Sequence, residues 1–375
     1  MTTRREILAG GAATLAFGTT RLLADVPRAR RPLDLLILGG TGFLGPHQVE
    51  YALARGHRLT LFNRGRSDST LDRSRVEVLI GDRDSKNAPG LKSLEGSRRW
   101  DAVIDNSGYV PRYVRESGLL LKGRIGRYLF VSTTAVYDGT QAVCHENSPL
   151  RTLSDPTDEK LTAHSYGDLK AEGDRVIRGI YGPAATVVRP TYIAGPGDET
   201  DRFTYWVVRT AAGGTVLGPR ADAKDLQIVD VRDLCPWLVT LVENDVSGIF
   251  NAAGPRMPWD GVLATLRPAN DQQVRVVRPS GAIVQKSKVD FPLVEPTIEG
   301  AIFANERMSF DGSHALKVGL NYRPVPDTGR ATLEWWQAQT PRRQAAPVGW
   351  PTAAQEQELR EAAIREAPAG RAHPT

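Results

Sequence analysis

The sequence predicts an α/β fold, a doubly wound parallel sheet followed by a smaller C-terminal substrate-binding domain. An unbroken apolar run at 35–38 is typical of a strand buried on both faces. It leads directly into three glycines spaced three residues apart, Gly39, Gly42 and Gly45, and then into a helical pattern. Strand and helix signals alternate as far as an apolar strand at 186–190, which favours parallel strands joined by helical crossovers.

The glycine-rich turn predicts a dinucleotide site. One glycine permits the tight turn, one lets the backbone approach a pyrophosphate, and one lets the helix pack against the strand. The pyrophosphate would bind to the unpaired N–H groups at the start of the helix. The residues expected to contact it are Gly39, Thr41, Gly42, Phe43, Leu44 and Gly45.

Composition excludes several classes of protein. The 375 residues suffice for one large or two closely joined domains, and 41% hydrophobic residues allow a sizeable core. The net charge of +5 is small for this length, and no Lys/Arg block with interleaved aromatics occurs, so nucleic-acid binding is not expected. The six histidines lack metal-ligand spacing and the two cysteines form no CxxC pattern, so no metal site is expected, while a disulfide stays open.

The first 30 residues predict an export signal and a linker. Arg4 and Arg5 precede a short, weakly apolar stretch at 8–17, and Ala24 precedes Asp25. The paired arginines resemble a twin-arginine signal, which implies the twin-arginine export machinery as a partner and a periplasmic or other extracytoplasmic location. A cytoplasmic location is the alternative if the signal is not used. The cleavage point after Ala24 is open, because Leu22 fits poorly three residues before a cut.

The end of the second predicted strand, 58–62, bears on the choice of cofactor. An acidic residue there would bind the ribose 2′-hydroxyl of NAD, whereas an arginine accommodates the 2′-phosphate of NADP. The chain has Asn63 and Arg64, and a guanidinium suits phosphate. The pattern favours NADP, with NAD as the alternative. Arg64 and Arg66 are equally compatible with solvated loop charges.

Two further strand ends are expected to line the cofactor. A strand at 76–80 precedes Asp82, whose carboxylate could accept from the adenine amino group. A strand at 102–105 precedes a turn of small residues that could pass under a ribose. Ordinary turn chemistry explains both patterns as well. The expected contacts are Asp82, Arg83, Asn106, Ser107 and Gly108.

Candidate catalytic residues follow the fifth strand, 128–131. Hydroxyl side chains at 132–134 stand where open α/β sheets bind ligands. Tyr166 opens a predicted helix over 166–180, and Lys170 shares its face at i+4. A neighbouring ammonium favours the phenolate, so Tyr166 could exchange a proton with a substrate hydroxyl during hydride transfer.

These motifs in this order resemble the extended short-chain dehydrogenases/reductases, the NAD(P)-dependent epimerase/dehydratase group. The matching segments are GGTGFLG (39–45), GD (81–82), VSTTAVY (131–137), YGDLK (166–170), VVRPTYIAGPGD (187–198) and QIVDVRDL (227–234). The resemblance implies a Rossmann domain at 31–190 and a catalytic pair, Tyr166 and Lys170. It makes Thr133 the active hydroxyl, with Ser132 as the fallback.

The same resemblance extends to the second half of the chain. It implies that Arg189 and Pro190 line the cofactor, that residues 191–340 form the substrate-binding part with strands returning to the sheet, and that homodimers are common. A polar tail is expected at 341–375, with a helix at about 353–365. UDP-sugar epimerases have a diphosphate-binding arginine where this chain has Leu226, which argues against a nucleotide-sugar substrate.

Four basic residues of the substrate-binding part are open to two interpretations. Each could hold a substrate phosphate, but each taken alone is better explained as a surface charge. They are Arg202, Arg209, Arg220 and Lys224.

The predicted function is NAD(P)-dependent hydride transfer at a secondary alcohol or ketone of a small, sugar-like substrate. Tyr166 would be the acid/base, Lys170 would lower its pKa and hold the nicotinamide ribose, and Thr133 would orient the substrate oxygen. Epimerisation, dehydration and net reduction all begin with this step. Residues 201–214 look more like an atypical branch that includes chloroplast stem-loop RNA-binding relatives. The rival hypothesis is therefore a non-catalytic nucleotide-sensing or RNA-binding protein on the same scaffold.

Overall fold

The structure is a computed structural model, and it describes residues 26–66, 71–219, 225–267, 274–287 and 308–366. The predicted export signal, Arg220, Lys224 and the last residues of the predicted tail lie outside these ranges. Among the described residues, no helix is long and apolar enough to cross a membrane. Cys144 and Cys235 are both buried free thiols, so they form no disulfide.

The six strands predicted up to residue 190 lie close to their predicted positions, and the structure shows further strands beside them. In chain order they are β1 (Asp34–Leu38), β2 (Arg58–Asn63), β3 (Glu77–Ile80), β4 (Trp100–Asp105), β5 (Ile125–Val131), β6 (Val143–Cys144), β7 (Ala185–Pro190), β8 (Tyr192–Ala194), β9 (Gly214–Leu217), β10 (Ile228–Asp230), β11 (Gly248–Ala252), β12 (Val274–Val277) and β13 (Ser309–Phe310).

The helices between them include both crossovers and a C-terminal group. In chain order they are α1 (Leu44–Arg55), α2 (Pro111–Leu121), α3 (Tyr166–Tyr181), α4 (Arg202–Ala211), α5 (Val231–Glu243), α6 (Trp259–Thr265), α7 (Gly281–Ser287), α8 (Ser313–Lys317), α9 (Val325–Gln337), α10 (Pro341–Gln344) and α11 (Ala353–Glu366).

Seven strands form one parallel sheet in the order β11-β7-β5-β4-β1-β2-β3. The doubly wound parallel fold is therefore confirmed. Leu38 pairs with Phe62 on one side and with Asp105 on the other, and Asp105 pairs with Phe130. Because the strands end in register, the turns that follow them meet at one edge of the sheet, where open α/β folds bind ligands.

Helices cover both faces of the sheet. On one face, Val49 of α1 and Leu238 of α5 pack with the side chains of β1 and β2 in one apolar cluster. On the other face, Val114 of α2 and Ile177 of α3 pack with side chains of β4 and β5. The strands are buried on both faces, which is why they read as continuous apolar runs in the sequence.

The substrate-binding part has its own apolar core, in which Trp206 and Trp259 lie with ring centres 4.8 Å apart. Short parallel pairs of strands, β8 with β10 and β9 with β12, border it. β11 pairs with β7 and forms one edge of the main sheet, so a strand from the second half of the chain returns to that sheet, as the family resemblance implied.

The segment predicted as a polar tail packs into the substrate-binding part as far as Glu366. The predicted helix is present as α11, and its Leu359 is buried in the core of that part. Trp350 lies with its ring centre 5.2 Å from that of Trp336, which is itself buried. Trp336 is thus a packing residue, and residues 341–366 are part of the folded structure rather than the polar tail that was predicted.

Candidate active site

The glycine-rich turn after β1 leaves no room for a side chain at its third glycine. A Cβ added to Gly45 would lie 2.1 Å from the carbonyl carbon of Gly40, so α1 can approach β1 only with glycine there. A Cβ on Gly42 would meet nothing within 4 Å. No side chain caps the start of α1, and its first turn carries no acidic residue. The turn therefore suits a pyrophosphate, which would bind to the backbone N–H groups.

The tip of β2 contains the two residues predicted to select the cofactor. The Asn63 side chain accepts a hydrogen bond from the backbone N–H of Gly65 (2.8 Å), so it shapes the turn. Arg64 is exposed and forms no ion pair within the described part of the chain. An exposed guanidinium at this position is accessible to a phosphate.

Arg83, predicted to line the cofactor, instead points into the protein. Its guanidinium binds both carboxylate oxygens of Asp105 (Nη1–Oδ1 2.6 Å, Nη2–Oδ2 3.0 Å). Tyr128 donates to the same carboxylate (2.7 Å), and Arg83 also donates to Ser107 (3.0 Å). Burial opposes the ionisation of Asp105, but the Arg83 guanidinium outweighs it and keeps the pKa of that carboxyl below its usual value. The sequence offered no signal for this pairing.

The other predicted cofactor residues of these turns have partners that shape the loops. Asn106 and Gln48 of α1 exchange two amide hydrogen bonds (3.1 and 2.6 Å), which join the β4 turn to the helix after the glycine-rich turn. Asp82 accepts from the backbone N–H of Asp84 (2.9 Å). Gly108 is the acceptor for Lys170. Direct contacts of these residues with a nucleotide stay a prediction.

The structure brings Tyr166 and Thr133 together through a close approach of two backbones. A Cβ on Gly167 would lie 2.3 Å from the carbonyl oxygen of Ala135, so α3 can begin against the turn at 134–136 only with glycine in that position. The Thr133 hydroxyl accepts from the Ala135 N–H (3.1 Å), and Thr133 lies close enough to Tyr166 to influence the pKa of its phenol. Two hydroxyls predicted from separate motifs therefore share one site at the carboxyl edge of the sheet.

The electrostatics of Tyr166 differ from the prediction. Burial raises the pKa of the Tyr166 phenol to about 12, an effect that the hydrogen bond to Thr133 and the charge of Arg202 oppose. Lys170 is not among the groups that influence the pKa of Tyr166. The expectation that Lys170 lowers the pKa of Tyr166 is therefore wrong in this structure.

The position of Lys170 explains this result. Its ammonium donates to the backbone carbonyls of Gly108 (3.0 Å) and Val131 (2.7 Å) and lies 4.1 Å from the centre of the Phe130 ring. Burial lowers the pKa of Lys170 to about 8. Lys170 thus links the turns after β4 and β5 beneath the candidate site.

Ser132, the fallback hydroxyl, is buried next to Thr133. Its Oγ has no hydrogen-bond partner among the described residues. Thr133, unlike Ser132, influences the pKa of the Tyr166 phenol, so Thr133 stays the preferred candidate for the active hydroxyl.

Arg189 is also turned away from the cofactor edge, contrary to the prediction. It is fully buried and binds Asp174 of α3 (Nε–Oδ2 2.9 Å) and the Tyr137 hydroxyl (3.0 Å). The adjacent Pro190 accepts through its carbonyl from Thr134 (3.3 Å). Arg189 therefore anchors the helix that carries Tyr166 and Lys170, since a buried guanidinium needs a carboxylate partner.

The chain is similar in sequence to proteins of one family. A model of the NAD dependent epimerase/dehydratase family matches residues 35–120. The sterol-4-alpha-carboxylate 3-dehydrogenase, decarboxylating, of Bos taurus is 38% identical over 312 residues, which cover 82% of this chain and 69% of that protein. The chloroplast stem-loop binding protein of 41 kDa b of Arabidopsis thaliana is 27% identical over 245 residues, and the chain spans 61% of its length.

Solved structures agree with the fold. The Bordetella bronchiseptica enzyme WbmG, crystallised with NAD and UDP, aligns with a TM-score of 0.60 over 82% of this chain and 95% of its own, at 17% sequence identity. At this identity the likeness shows a common fold and nothing finer.

Proposed function

Because the chain belongs to the NAD dependent epimerase/dehydratase family, we propose that it is an NAD(P)-dependent enzyme that transfers hydride at a secondary alcohol or ketone of a sugar-like substrate. The observation that carries the proposal is the shared site of Thr133, Tyr166 and Lys170 beside the glycine-rich turn. When bound, the nicotinamide cofactor supplies the hydride donor or acceptor.

Tyr166 moves the proton in this proposal. With a pKa raised to about 12, its phenol is protonated at neutral pH and suits the reductive direction, in which it donates a proton to a carbonyl oxygen. In the oxidative direction Tyr166 would act in its deprotonated form, and the phenolate oxygen would take up the proton of the substrate hydroxyl. The Thr133 hydroxyl, close to Tyr166, would orient the substrate oxygen. Lys170 has three donors, of which two bind carbonyls, and the third would bind a ribose hydroxyl.

Replacing Tyr166 by Phe tests this role. The Tyr166→Phe variant should lose at least about a hundredfold in turnover, because it lacks the proton-transferring oxygen, while its affinity for the cofactor stays within about twofold. Turnover would be followed as nicotinamide absorbance with a panel of sugar-like ketones and alcohols. Tyr109→Phe is the matched control, since its ring lies 6.5 Å from that of Tyr166 and should leave turnover largely unchanged. Full activity of Tyr166→Phe would contradict the proposal.

For the cofactor we propose NADP in preference to NAD, supported by the exposed Arg64 at the tip of β2, which has no ion pair among the described residues. The full chain, purified and denatured, should release a nicotinamide nucleotide identifiable by mass. Arg64→Ala should weaken NADPH binding about tenfold or more and NADH binding little, because only NADPH has the 2′-phosphate. Equal weakening of both, or release of NAD(H) alone from the unchanged protein, would contradict the NADP assignment.

The rival function, nucleic-acid binding without catalysis, is favoured by the chloroplast stem-loop binding relative. The two functions differ in their response to salt. Binding of a stem-loop RNA that weakens steeply between 50 and 200 mM salt, together with no turnover in the panel above, would support the rival function. No detectable RNA binding at 50 mM salt would exclude it.

We also propose that residues 1–30 direct export by the twin-arginine route. Arg4 and Arg5 support this proposal. Replacing both arginines by Lys should keep the protein in the cytoplasm.

We propose further that the protein forms homodimers through α2 and α3. The exposed Leu119 on α2 supports this proposal. Sedimentation should give the mass of a dimer.

A further inference from the structure

Five charged side chains from three parts of the chain form one cluster. The three parts are the turn after β3, the start of α2 and the loop 151–165 that precedes α3. The members are Asp84, Lys86, Arg112, Glu116 and Glu159, and we call the set the Arg112 cluster. None of them belongs to the motifs quoted from the sequence, so the cluster is visible only in the tertiary structure.

Arg112 lies at the centre of the cluster. Its guanidinium binds both carboxylate oxygens of Glu159 (Nε–Oε1 2.5 Å, Nη2–Oε2 3.0 Å). It also donates to Asp84 (2.7 Å) and to Glu116 one turn along α2 (3.2 Å). The Arg112 side chain is only 17% exposed. A bidentate contact inside a network of several charges holds its partners in place far better than an isolated surface pair does.

The two carboxylates that reach Arg112 from other segments are ionised at neutral pH. The hydrogen bonds from Arg112 keep the pKa of Glu159 and the pKa of Asp84 below their usual values. Lys86 adds a second cation, with its Nζ 3.6 Å from Oε2 of Glu159. Because these groups are partly exposed to solvent, added salt should weaken the attraction between them.

Each segment that the cluster joins leads to a residue predicted to contact the nucleotide or the substrate. The backbone N–H of Asp84 donates to the Asp82 carboxylate (2.9 Å). Arg112 is the second residue of α2, which directly follows the turn after β4. Glu159 lies in the loop that ends at Tyr166, the first residue of α3. The cluster therefore ties together the segments on which the adenine, ribose and nicotinamide contacts are predicted.

The loop 151–165 is also held at both of its ends, independently of the cluster. At its start, Arg151 donates to Asp168 of α3 (2.5 Å). At its end, the loop continues into α3. Glu159 ties the middle of the loop to the cofactor turns. Once the contact between Glu159 and Arg112 breaks, the middle of the loop can move away while both ends stay in place.

We propose that Arg112 and Glu159 are positioning residues that tie this loop to the cofactor turns and so slow the release of the nicotinamide nucleotide. The inference rests on the proposed function and deepens it, because it concerns how long the cofactor stays bound. A nucleotide held by several segments leaves only after some of them separate. The bidentate contact opposes that separation, whereas the nucleotide enters while the loop is open. The contact therefore slows dissociation more than association.

The test is the rate at which the full chain, loaded with NADPH, releases it into an excess of NADP⁺, followed by stopped-flow fluorescence of the nicotinamide. Glu159→Gln should increase the release rate constant at least about tenfold and leave the association rate constant within about twofold. Raising the salt concentration from about 50 to 500 mM should accelerate release from the unchanged protein more than from the variant. NADH and NAD⁺ replace these probes if the protein binds only that pair.

A double-mutant cycle assigns the effect to the contact between the two residues. Arg112→Gln should accelerate release as Glu159→Gln does, and the double variant should be no faster than the faster single variant.

Glu50→Gln is the matched control. The Glu50 side chain is 34% exposed, against 32% for Glu159, and both of its oxygens bind Arg75 outside the cluster (3.0 and 2.9 Å). This variant should release NADPH like the unchanged protein. The nucleotide-free forms of Glu50→Gln and Glu159→Gln should have the same melting temperature, which would exclude a general loss of stability as the cause of faster release.

Two results would overturn the inference. One is a Glu159→Gln variant that releases NADPH at the rate of the unchanged protein, and the other is a Glu50→Gln variant that releases it as fast as Glu159→Gln. A protein that binds neither NADPH nor NADH would instead contradict the proposed function, and the inference with it. Tyr166→Phe should keep the slow release and lose turnover, so the two roles separate.

Discussion

Two buried aspartates, Asp105 in the cofactor half and Asp201 in the substrate half, are each held by one arginine. Both carboxylates have no exposed surface, and each arginine reaches both carboxylate oxygens. Arg83 lies 22 residues from Asp105 along the chain, whereas Arg343 lies 142 residues from Asp201. Each pair fixes a loop at the edge of the candidate site.

The difference between the pairs lies in what surrounds them. Asp105 also accepts from Tyr128 and from the N–H of Ser107, inside the sheet and among elements of the Rossmann half. Asp201 depends on a C-terminal segment, and the side chain of Arg343 is 28% exposed. The cofactor half therefore supports its loops locally, while the substrate half depends on the end of the chain. Burial strengthens the electrostatic attraction between Arg83 and Asp105, whereas solvent around Arg343 screens its attraction to Asp201.

The largest effect is expected for Asp105→Asn, which leaves the Arg83 guanidinium buried without a negative partner. The free energy of unfolding should fall by about 3–5 kcal/mol. Chemical denaturation at neutral pH would measure it. Asp260→Asn is the control, since that side chain is 83% exposed and its ion pair with Arg278 should contribute less than about 1 kcal/mol. Equal losses for both variants would remove the distinction drawn between buried and exposed pairs.

A smaller effect is expected for Arg343→Gln, because water can reach the vacated position. We expect a loss of about 1–3 kcal/mol in the free energy of unfolding and faster hydrogen exchange at 198–205. Cofactor affinity should not change, since the glycine-rich turn is held separately. Arg330→Gln, at an exposed pair on α9, serves as the control. Unchanged exchange at 198–205 would show that the C-terminal segment does not fix this loop.

The last prediction concerns Lys170, which lies in the cofactor half, where it donates to the carbonyls of Gly108 and Val131. Its pKa falls from 10.5 to about 8 on burial, so between these values the unfolded chain binds more protons than the folded one. The contribution of Lys170 to stability should therefore increase as pH rises from about 8 to 10.5. Lys170→Met should abolish this part of the pH dependence, measured as unfolding midpoints across the window. Lys86→Met, at an exposed lysine, is the control. If its stability changed with pH in the same way as that of Lys170→Met, the effect would come from the loss of a positive charge and not from the burial of Lys170.

Much of the fold was predictable because its signals are local. Buried parallel strands need continuous apolar runs, and the turn after β1 needs glycine at Gly45, where the backbones nearly touch. The helix predicted over 166–180 spans Tyr166–Tyr181, and it carries Tyr166 and Lys170 at positions i and i+4. Thr133 lies close to Tyr166, while the catalytic roles of these residues stay a prediction.

The sequence alone therefore determined that the chain forms a parallel sheet. It also determined which motifs follow the strands and so lie at the carboxyl edge of that sheet. Only the tertiary structure decided the partners of the charged side chains. Arg83 and Arg189 belong to motifs at that edge, but the side chain of each points inward and pairs with a buried aspartate. Leaving a buried carboxylate without a partner would cost more free energy than withdrawing an arginine from solvent to pair with it. Such pairings join residues far apart in the chain. No periodicity or local motif predicts these Arg–Asp pairings, because they depend on which surfaces come into contact when the chain folds.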